Sequence, residues 1–525
     1  MATAVPVVDL FAGPGGLGEG FSRVLRRGRP VFRHVLSIEK DADAYRTLKL
    51  RAWYRLFRGE LPQAYRDRAR GLITTDELFA RFPIAAAAAE AETWQAELGS
   101  ADLPLAVLRE RLQAALGNAG DWVLLGGPPC QPYSLVGRSR NRGIRGYRLE
   151  DDRRATLYLE YLQVIADFAP AVFVMENVKG LLSARMHGEC VFARMLDDLS
   201  RPASALAREG RPRPLRGRGL RYRLYPVAPP ADLFGTAVNG ESTDPRDFVV
   251  RAERFGVPQA RHRVIVVGVR EDFSSRGPAP LLEAGEVVTV RDVLAGLPPL
   301  RSGLSREQDS AEAWAGVLAD VGRSAWLKRL GASGRTAVAR RIREVVNRAG
   351  KLACRPREDD GTESVAPRHP EEAWFETRDV KCVVNHRSRA HMRSDLARYL
   401  FASAFAESVG RSPDLRDFPA ELLPEHRNCC ASVEDTHFAD RFRVQPWNRP
   451  STTVTSHISR DGHYYIHPDP EQCRSLTVRE AARLQTFPDS YLLEGNRTAQ
   501  YVQVGNAVPP YLAYQIASRI ADLFG

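Results

Sequence analysis

Trp122-Val123-Leu124-Leu125-Gly126-Gly127-Pro128-Pro129-Cys130-Gln131-Pro132-Tyr133-Ser134 decides how this chain is to be read. Trp122 to Leu125 is a short apolar run ended by turn residues, the pattern of a buried strand. The next residues deliver a cysteine to the C-terminal end of that strand, on backbone stiffened by two prolines before it and one after. Open α/β sheets take their ligands at this edge. A thiolate held there can act as a nucleophile. The plainer alternative is a buried structural cysteine after a proline-rich turn. This stretch alone leaves both open.

Other strand-like runs end in the same manner. Val5 to Val8 leads into Asp9-Leu10-Phe11-Ala12-Gly13-Pro14-Gly15-Gly16-Leu17-Gly18, and Val35-Leu36-Ser37-Ile38 ends in Glu39. Val172-Phe173-Val174-Met175 runs into Glu176-Asn177-Val178, while Gln259-Ala260-Arg261-His262-Arg263 precedes Val264 to Val267. A helical pattern such as Tyr158 to Ile165 lies between them, and the alternation predicts a mostly parallel α/β sheet. Residues 50–118 interrupt it with an acidic, alanine-rich helical segment around Ala85 to Glu97, expected as a peripheral insertion. Residues 200–223 read as a basic loop. From 271 to 445 the rhythm gives way to basic, irregular sequence, expected as a second, smaller domain. The α/β pattern then resumes. Thr477-Val478-Arg479-Glu480 resembles a capping box opening a helix from Val478 to Thr486, closed by Pro488. Pro509-Pro510 opens a last helix with Leu512, Ile516, Ile520 and Leu523 on one face. The expected layout is one α/β domain, 1–270, completed by 446–525, with domain 271–445 inserted in it.

Composition narrows the partners. The 525 residues are 44% hydrophobic and 26% charged, ordinary for a globular chain with sizeable cores. Seven cysteines without regular spacing argue against a disulfide framework and for a reducing cytoplasm. With no signal peptide and no long apolar span, a cytoplasmic location without membrane contact is expected. The net charge of +11 favours an anionic partner. Its arginine-dominated positive set suits phosphate and guanine contacts, although a biased genome would also enrich arginine. His426, Cys429, Cys430 and His437 suggest zinc, but adjacent cysteines do not match Cys-x-x-Cys spacing. No metal is expected.

The first turn is glycine-rich, which lets backbone approach a ligand closely. An acidic residue at the end of the next strand, Glu39, would accept hydrogen bonds from ribose hydroxyls. That is a nucleoside-cofactor arrangement. Phe11 sits where a cofactor ring could stack, and the spacing after Asp9 gives no clean G-x-G-x-x-G of the nicotinamide type.

Together with Arg479-Glu480-Ala481-Ala482-Arg483-Leu484-Gln485-Thr486-Phe487-Pro488 and Gln503-Val504-Gly505-Asn506-Ala507-Val508-Pro509, these segments, in this order, resemble the DNA (cytosine-5) methyltransferase family of bacterial type. The resemblance covers about 1–50, 120–200, 245–270 and 445–525. It implies a Rossmann-like S-adenosylmethionine-dependent methyltransferase domain, with 271–445 in the place of an inserted target-recognition domain. Cys130 would attack C6 of a cytosine so that C5 can take a methyl group. Glu176 would hold or donate a proton at N3 of the base. Arg261 and Arg263, two apart on extended chain, share a face. One would hold Glu176 and reach the base, the other a phosphate, and the sequence does not say which.

By the same resemblance Phe11, Gly13, Gly15, Gly16, Leu17, Glu39, Pro128, Asn506 and Val508 line the S-adenosyl-L-methionine site. Gln131, Ser134 and the basic segment Arg138 to Arg148, with Arg138 and Arg140 foremost, form a loop that closes on DNA. Gln259 joins the DNA-facing set, as do Arg387 and Arg389 in a basic cluster with His391 and Arg393. The family usually carries an Asp that contacts adenine; Asp76 and Asp102 stand as equal candidates. The partner implied is double-stranded DNA with its target base rotated out of the stack. Cognate restriction or phage-defence components are among the partners the resemblance implies, and the complete motif set implies that a monomer suffices for the chemistry. A tRNA-methylating branch shares the motif order, but the large basic recognition region favours duplex DNA. A silent DNA-binding module would need neither Cys130, Glu176 nor Arg261. A nicotinamide-dependent oxidoreductase would leave the Cys and Arg motifs unexplained.

Overall fold

The computed structural model describes residues 4–57, 59–129, 157–186, 188–216, 219–228, 244–273, 281–358, 367–375, 380, 382–424 and 440–525. Its central sheet contains β1 (Val5–Leu10), β2 (Phe32–Glu39), β3 (Thr93–Gln95) and β4 (Val123–Gly126). It continues with β5 (Val172–Val178), β6 (Tyr222–Pro226), β7 (Val249–Arg251) and β8 (His262–Arg270). The order across the sheet is β6-β8-β5-β4-β1-β2-β3, with β7 also paired to β8. Strands β1 to β5 run parallel, and β8 is antiparallel to β5, β6 and β7. From β1 the chain steps outward to β3, then returns to place β4 on the other side of β1. The C-terminal ends of β1 and β4 therefore flank a topological switch point, where such sheets bind ligands.

The central strands β4 and β5 are apolar on both faces because both faces are covered. On one side Val7, Val123, Leu125 and Ile265 meet Leu17 and Phe21 of α1 (Gly16–Ser22), together with Leu512 and Ile516 of the last helix. On the other, Val8, Leu10 and Leu124 meet Leu108 and Leu112, Leu162 and Ile165, and Phe192 from three further helices. This is an α/β, Rossmann-like architecture.

Two expectations need correction. The alanine-rich segment forms a helix that ends at Glu92, and Thr93–Gln95 then pairs with Ser37–Glu39 as the edge strand β3. Three residues after an alanine run carry too little pattern to show as a strand; β2 supplies the pairing. The helix Leu105–Leu116 then packs its leucines beneath the sheet. So 93–116 belongs to the sheet layer, and the peripheral part is a small cluster around Trp53, Tyr65 and Leu78.

The described residues of the 271–445 stretch are helical in part. They include Ala311–Arg323, Ala325–Ala332, Thr336–Asn347 and Arg393–Val409, packed around Trp314, Leu318, Ile342, Tyr399 and Leu400. Other parts of the stretch pack elsewhere. Val290, Val293, Trp374 and Val383 join a core with residues 454–511, while Val380, Cys382 and Val384 join Trp53 and Tyr65.

The capping box at Thr477 is formed: its hydroxyl accepts from the Glu480 N–H, and Glu480 Oε2 accepts from the Thr477 N–H at 2.7 Å. Its helix ends at Leu484, two residues before the expected Thr486, which sits at φ 62°. Three arginines of this segment are fully buried. Arg479 donates to the carbonyls of Val384, Pro488 and Tyr491, Arg483 to Val293 O and Asp489, and Arg474 to Glu480. They stitch residues from the inserted stretch onto the C-terminal part.

Burial pushes His386 and His467 down to about 4 from an ordinary 6.5. Both are neutral in the fold, so the unfolded chain takes up their protons first. Their contribution to stability is complete above about 6.5 and is lost as pH falls towards 4. The melting midpoint is therefore expected to drop across that window, and the drop should be shallower in His386→Asn. An equal slope in variant and wild type would refute this.

Candidate active site

At the switch point the first side is a turn. Phe11, Gly13 and Gly15 adopt φ of 56°, 57° and 91°, which folds the chain back into α1. Gly13 donates its N–H to Glu39 Oε2 at 2.8 Å, and Asp41 donates to Oε1 at 2.8 Å. Each carboxylate oxygen keeps a lone pair beyond these bonds, so Glu39 can still accept two hydroxyls. Burial raises the Glu39 carboxyl. A Cβ on Gly16 would lie 2.3 Å from Val508 O, so no side chain fits between α1 and the Val508 backbone. Leu17 is buried in the core with its side chain away from solvent. Asn506 is exposed at the end of the helix Arg497–Asn506. The donor set, a peptide N–H cradle and a strand-end carboxylate, fits a nucleoside-bearing cofactor.

The sequence reading missed two residues here. Asp9 is buried beneath α1, and burial, with the charge of Glu39, pushes it up to about 7. Glu97 follows β3, where Ala96 N bonds to Glu39 O at 3.1 Å and Lys40 lies 3.5 Å from the Glu97 carboxylate. It is the acidic residue at the end of the third strand. Asp76 lies in the helix Thr75–Arg81 and Asp102 in an exposed turn. Recognising β3 would have pointed to Glu97.

The second side is built by β4 and β5. Gly126 pairs with Met175, which sets Gly127-Pro128-Pro129 beside Glu176-Asn177. Asn177 Nδ2 donates to Pro128 O at 3.4 Å, and a Cβ on Gly127 would lie 3.5 Å from Glu176 Oε2. Arg263 Nε is 3.0 Å from Glu176 Oε1. The sequence left open which arginine holds Glu176; Arg263 does. Arg261 is 2% exposed and donates instead to Val454 O at 2.9 Å and to Gly505 O at 3.4 Å. Cys130, Gln131, Ser134, Arg138 and Arg140 lie outside the described residues, as do His426, Cys429, Cys430 and His437. Pro129 is the last described residue before the cysteine.

The family model described as C-5 cytosine-specific DNA methylase matches residues 118–201 and 375–522. A curated relative, Type II methyltransferase M.Bpa9945I of Bacillus paralicheniformis, is 31% identical over 98% of both chains. The chain belongs to the C-5 cytosine-specific DNA methylases. Type II methyltransferase M.AgeI of Thalassovita gelatinovora is 26% identical over 98% of both chains. DNA (cytosine-5-)-methyltransferase M.ApeKI of Aeropyrum pernix is 24% identical over 76% of this chain and 81% of its own.

Within this methylase, two expected DNA contacts turn out to be buried. Gln259 is fully buried: its amide donates to Leu484 O and Gln485 Oε1 and accepts from Val454 N. Arg389 spends its guanidinium on the carbonyls of Arg460 and Ile458, and stacks 4.0 Å over the Tyr501 ring. Both brace the fold, because a desolvated side chain bonded in this way cannot turn outward without leaving its partners unsatisfied. Arg387 remains exposed, 3.4 Å from Glu358. Among the described residues no group of three His, Cys, Asp or Glu could hold a metal. No described helix is long and apolar enough to cross a membrane.

Proposed function

We propose that this methylase transfers a methyl group from S-adenosyl-L-methionine to C5 of a cytosine rotated out of a specific duplex DNA site. The observation that carries the reading is the Glu176–Arg263 pair set beside Gly127–Pro129, directly before Cys130. Phe11, Gly13, Gly15, Gly16, Glu39, Pro128, Asn506 and Val508, with Asp9 and Glu97, would hold the cofactor. When bound, it supplies an electrophilic methyl carbon.

The protein's part is to make cytosine C5 nucleophilic. The Cys130 thiolate adds to C6, and the displaced electron pair moves towards C5 as N3 is protonated by Glu176. Arg263 orients Glu176 for that transfer. Once C5 carries the methyl group, loss of the C5 proton breaks the sulfur–C6 bond, restores aromaticity and frees Cys130. Arg261 and Gln259 fix the segment at Val454 and the end of the Arg497–Asn506 helix around this centre. The relatives' names support a restriction-modification role, in which one copy marks host DNA against a cognate nuclease.

The test is methyl transfer from labelled S-adenosylmethionine to unmethylated duplex DNA and to tRNA, with Cys130→Ala as the blank, followed by single-base mapping. Labelled 5-methylcytosine at one short DNA motif is expected. Label confined to tRNA, or label retained by the blank, would overturn the reading.

A further inference from the structure

Residues 325–357 carry ten lysines and arginines against a single acidic residue, Glu344, a net of +9 out of +11 for the whole chain. This stretch spans the helices α2 (Ala325–Ala332), α3 (Thr336–Asn347) and α4 (Ala349–Ala353). In α3, Val338, Ala339, Ile342 and Val345 face the core. Arg340, Arg343 and Asn347 recur at intervals of three and four, which puts them on the opposite face. Arg348 separates this helix from the next, whose first bond runs from Leu352 N to Arg348 O at 3.0 Å and which leaves Lys351 exposed.

Much of the charge is already matched. Arg329, Arg335, Arg341, Arg348, Arg355 and Arg357 each meet a carboxylate from a neighbouring segment, with Glu471 alone serving Arg341, Arg348 and Arg355. The stripe is what remains. Arg343 and Lys351 have no ion pair among the described residues, and Arg340 is 76% exposed with its nearest carboxylate, Glu344, at 3.9 Å. Lys328 is exposed and equally unmatched, one turn before Gly331, against which Arg343 lies. A protein surface gains nothing in stability from like charges crowded on one face; a polyanion would neutralise them.

We propose that this stripe is a docking surface for the phosphate backbone of duplex DNA flanking the methylated site. It rests on the proposed DNA substrate and goes beyond it. Arg340 to Asn347 extends ~10 Å along the helix axis, and Lys351 on the following helix adds to its reach along successive phosphates. The contacts are charge on charge without base edges, so they raise affinity for long DNA and leave sequence choice and the chemical step untouched.

The experiment compares wild type with the triple variant Arg340→Gln, Arg343→Gln, Lys351→Gln. Binding is titrated against salt on a duplex barely longer than the mapped site and on one several helical turns longer. Wild type should bind the long duplex more tightly. The variant should lose that preference, with a slope of log affinity against log salt shallower by about 2 to 3. Its kcat, its KM for S-adenosylmethionine and its melting midpoint should stay at wild-type values, which separates lost docking from lost folding. An unchanged slope and length preference overturn the proposal, as would a slope change seen with RNA alone. Failure of wild type to methylate DNA would sink the enzymatic reading instead, while the binding slopes still decide the surface.

Discussion

Arg263→Ala is expected to lower kcat by roughly 10² to 10³ while leaving the melting midpoint close to wild type. Arg261→Ala should do the reverse, destabilising the fold by about 3–5 kcal/mol. The two residues are one alternation apart on the same stretch of chain, and the difference follows from where each guanidinium ends. Arg263 is the ion-pair partner of Glu176 at 3.0 Å, at the edge of the ligand crevice. Without it the carboxyl loses its fixed orientation, and proton transfer to N3 slows. Few groups depend on Arg263 for packing. Arg261 is enclosed, and the carbonyls of Val454 and Gly505 depend on it. Its loss leaves them buried without a donor and loosens two segments that bracket the site. Single-turnover kinetics and thermal melts on both variants decide the matter. Matching phenotypes for the two would show that the assignment is mistaken.

Glu480→Gln should cost about 3–5 kcal/mol of stability. Glu480 is fully buried, and each of its oxygens lies 2.7 Å from an Arg474 guanidinium nitrogen. His467 stands 3.4 Å away. Burial alone would raise the Glu480 carboxyl, but Arg474 outweighs it and holds the group well below its ordinary 4.5. A carboxyl depressed in the fold contributes stability that is complete above its unfolded value and is lost as pH falls below it. Glutamine can still close the capping box with Thr477, so the substitution isolates the charge. The remaining Arg474 cation would sit desolvated without a counter-ion. Denaturant titration should show the loss at pH 7 and little difference between variant and wild type near pH 2. A loss that persists at acid pH would mean that shape rather than charge is responsible.

Much of the fold was legible because its signals are local. Apolar runs ended by Gly127-Pro128-Pro129, Glu39 and Glu176 mark strands whose C-terminal ends carry chemistry, and the Thr477–Glu480 capping box formed as read. What failed to show depends on partners distant in sequence. Thr93–Gln95 becomes a strand because β2 offers an unpaired edge, and nothing in three residues announces that. Gln259 and Arg389 looked like DNA contacts because polar residues near a motif usually face solvent. Here remote carbonyls claim them.

The sequence by itself determined the chemical inventory: a cysteine after a strand, a strand-end glutamate, two arginines in alternation and a glycine turn with its acidic partner. These residues are set by the bonds they must make or break, so type and spacing carry the information. The tertiary structure alone decided which arginine pairs with Glu176, that Thr93–Gln95 forms the third strand with Glu97 just beyond it, and which cations stay unmatched at the surface. Each of those outcomes turns on whether a long side chain finds a buried acceptor from another segment. That is a property of packing in three dimensions, and a linear pattern does not record it.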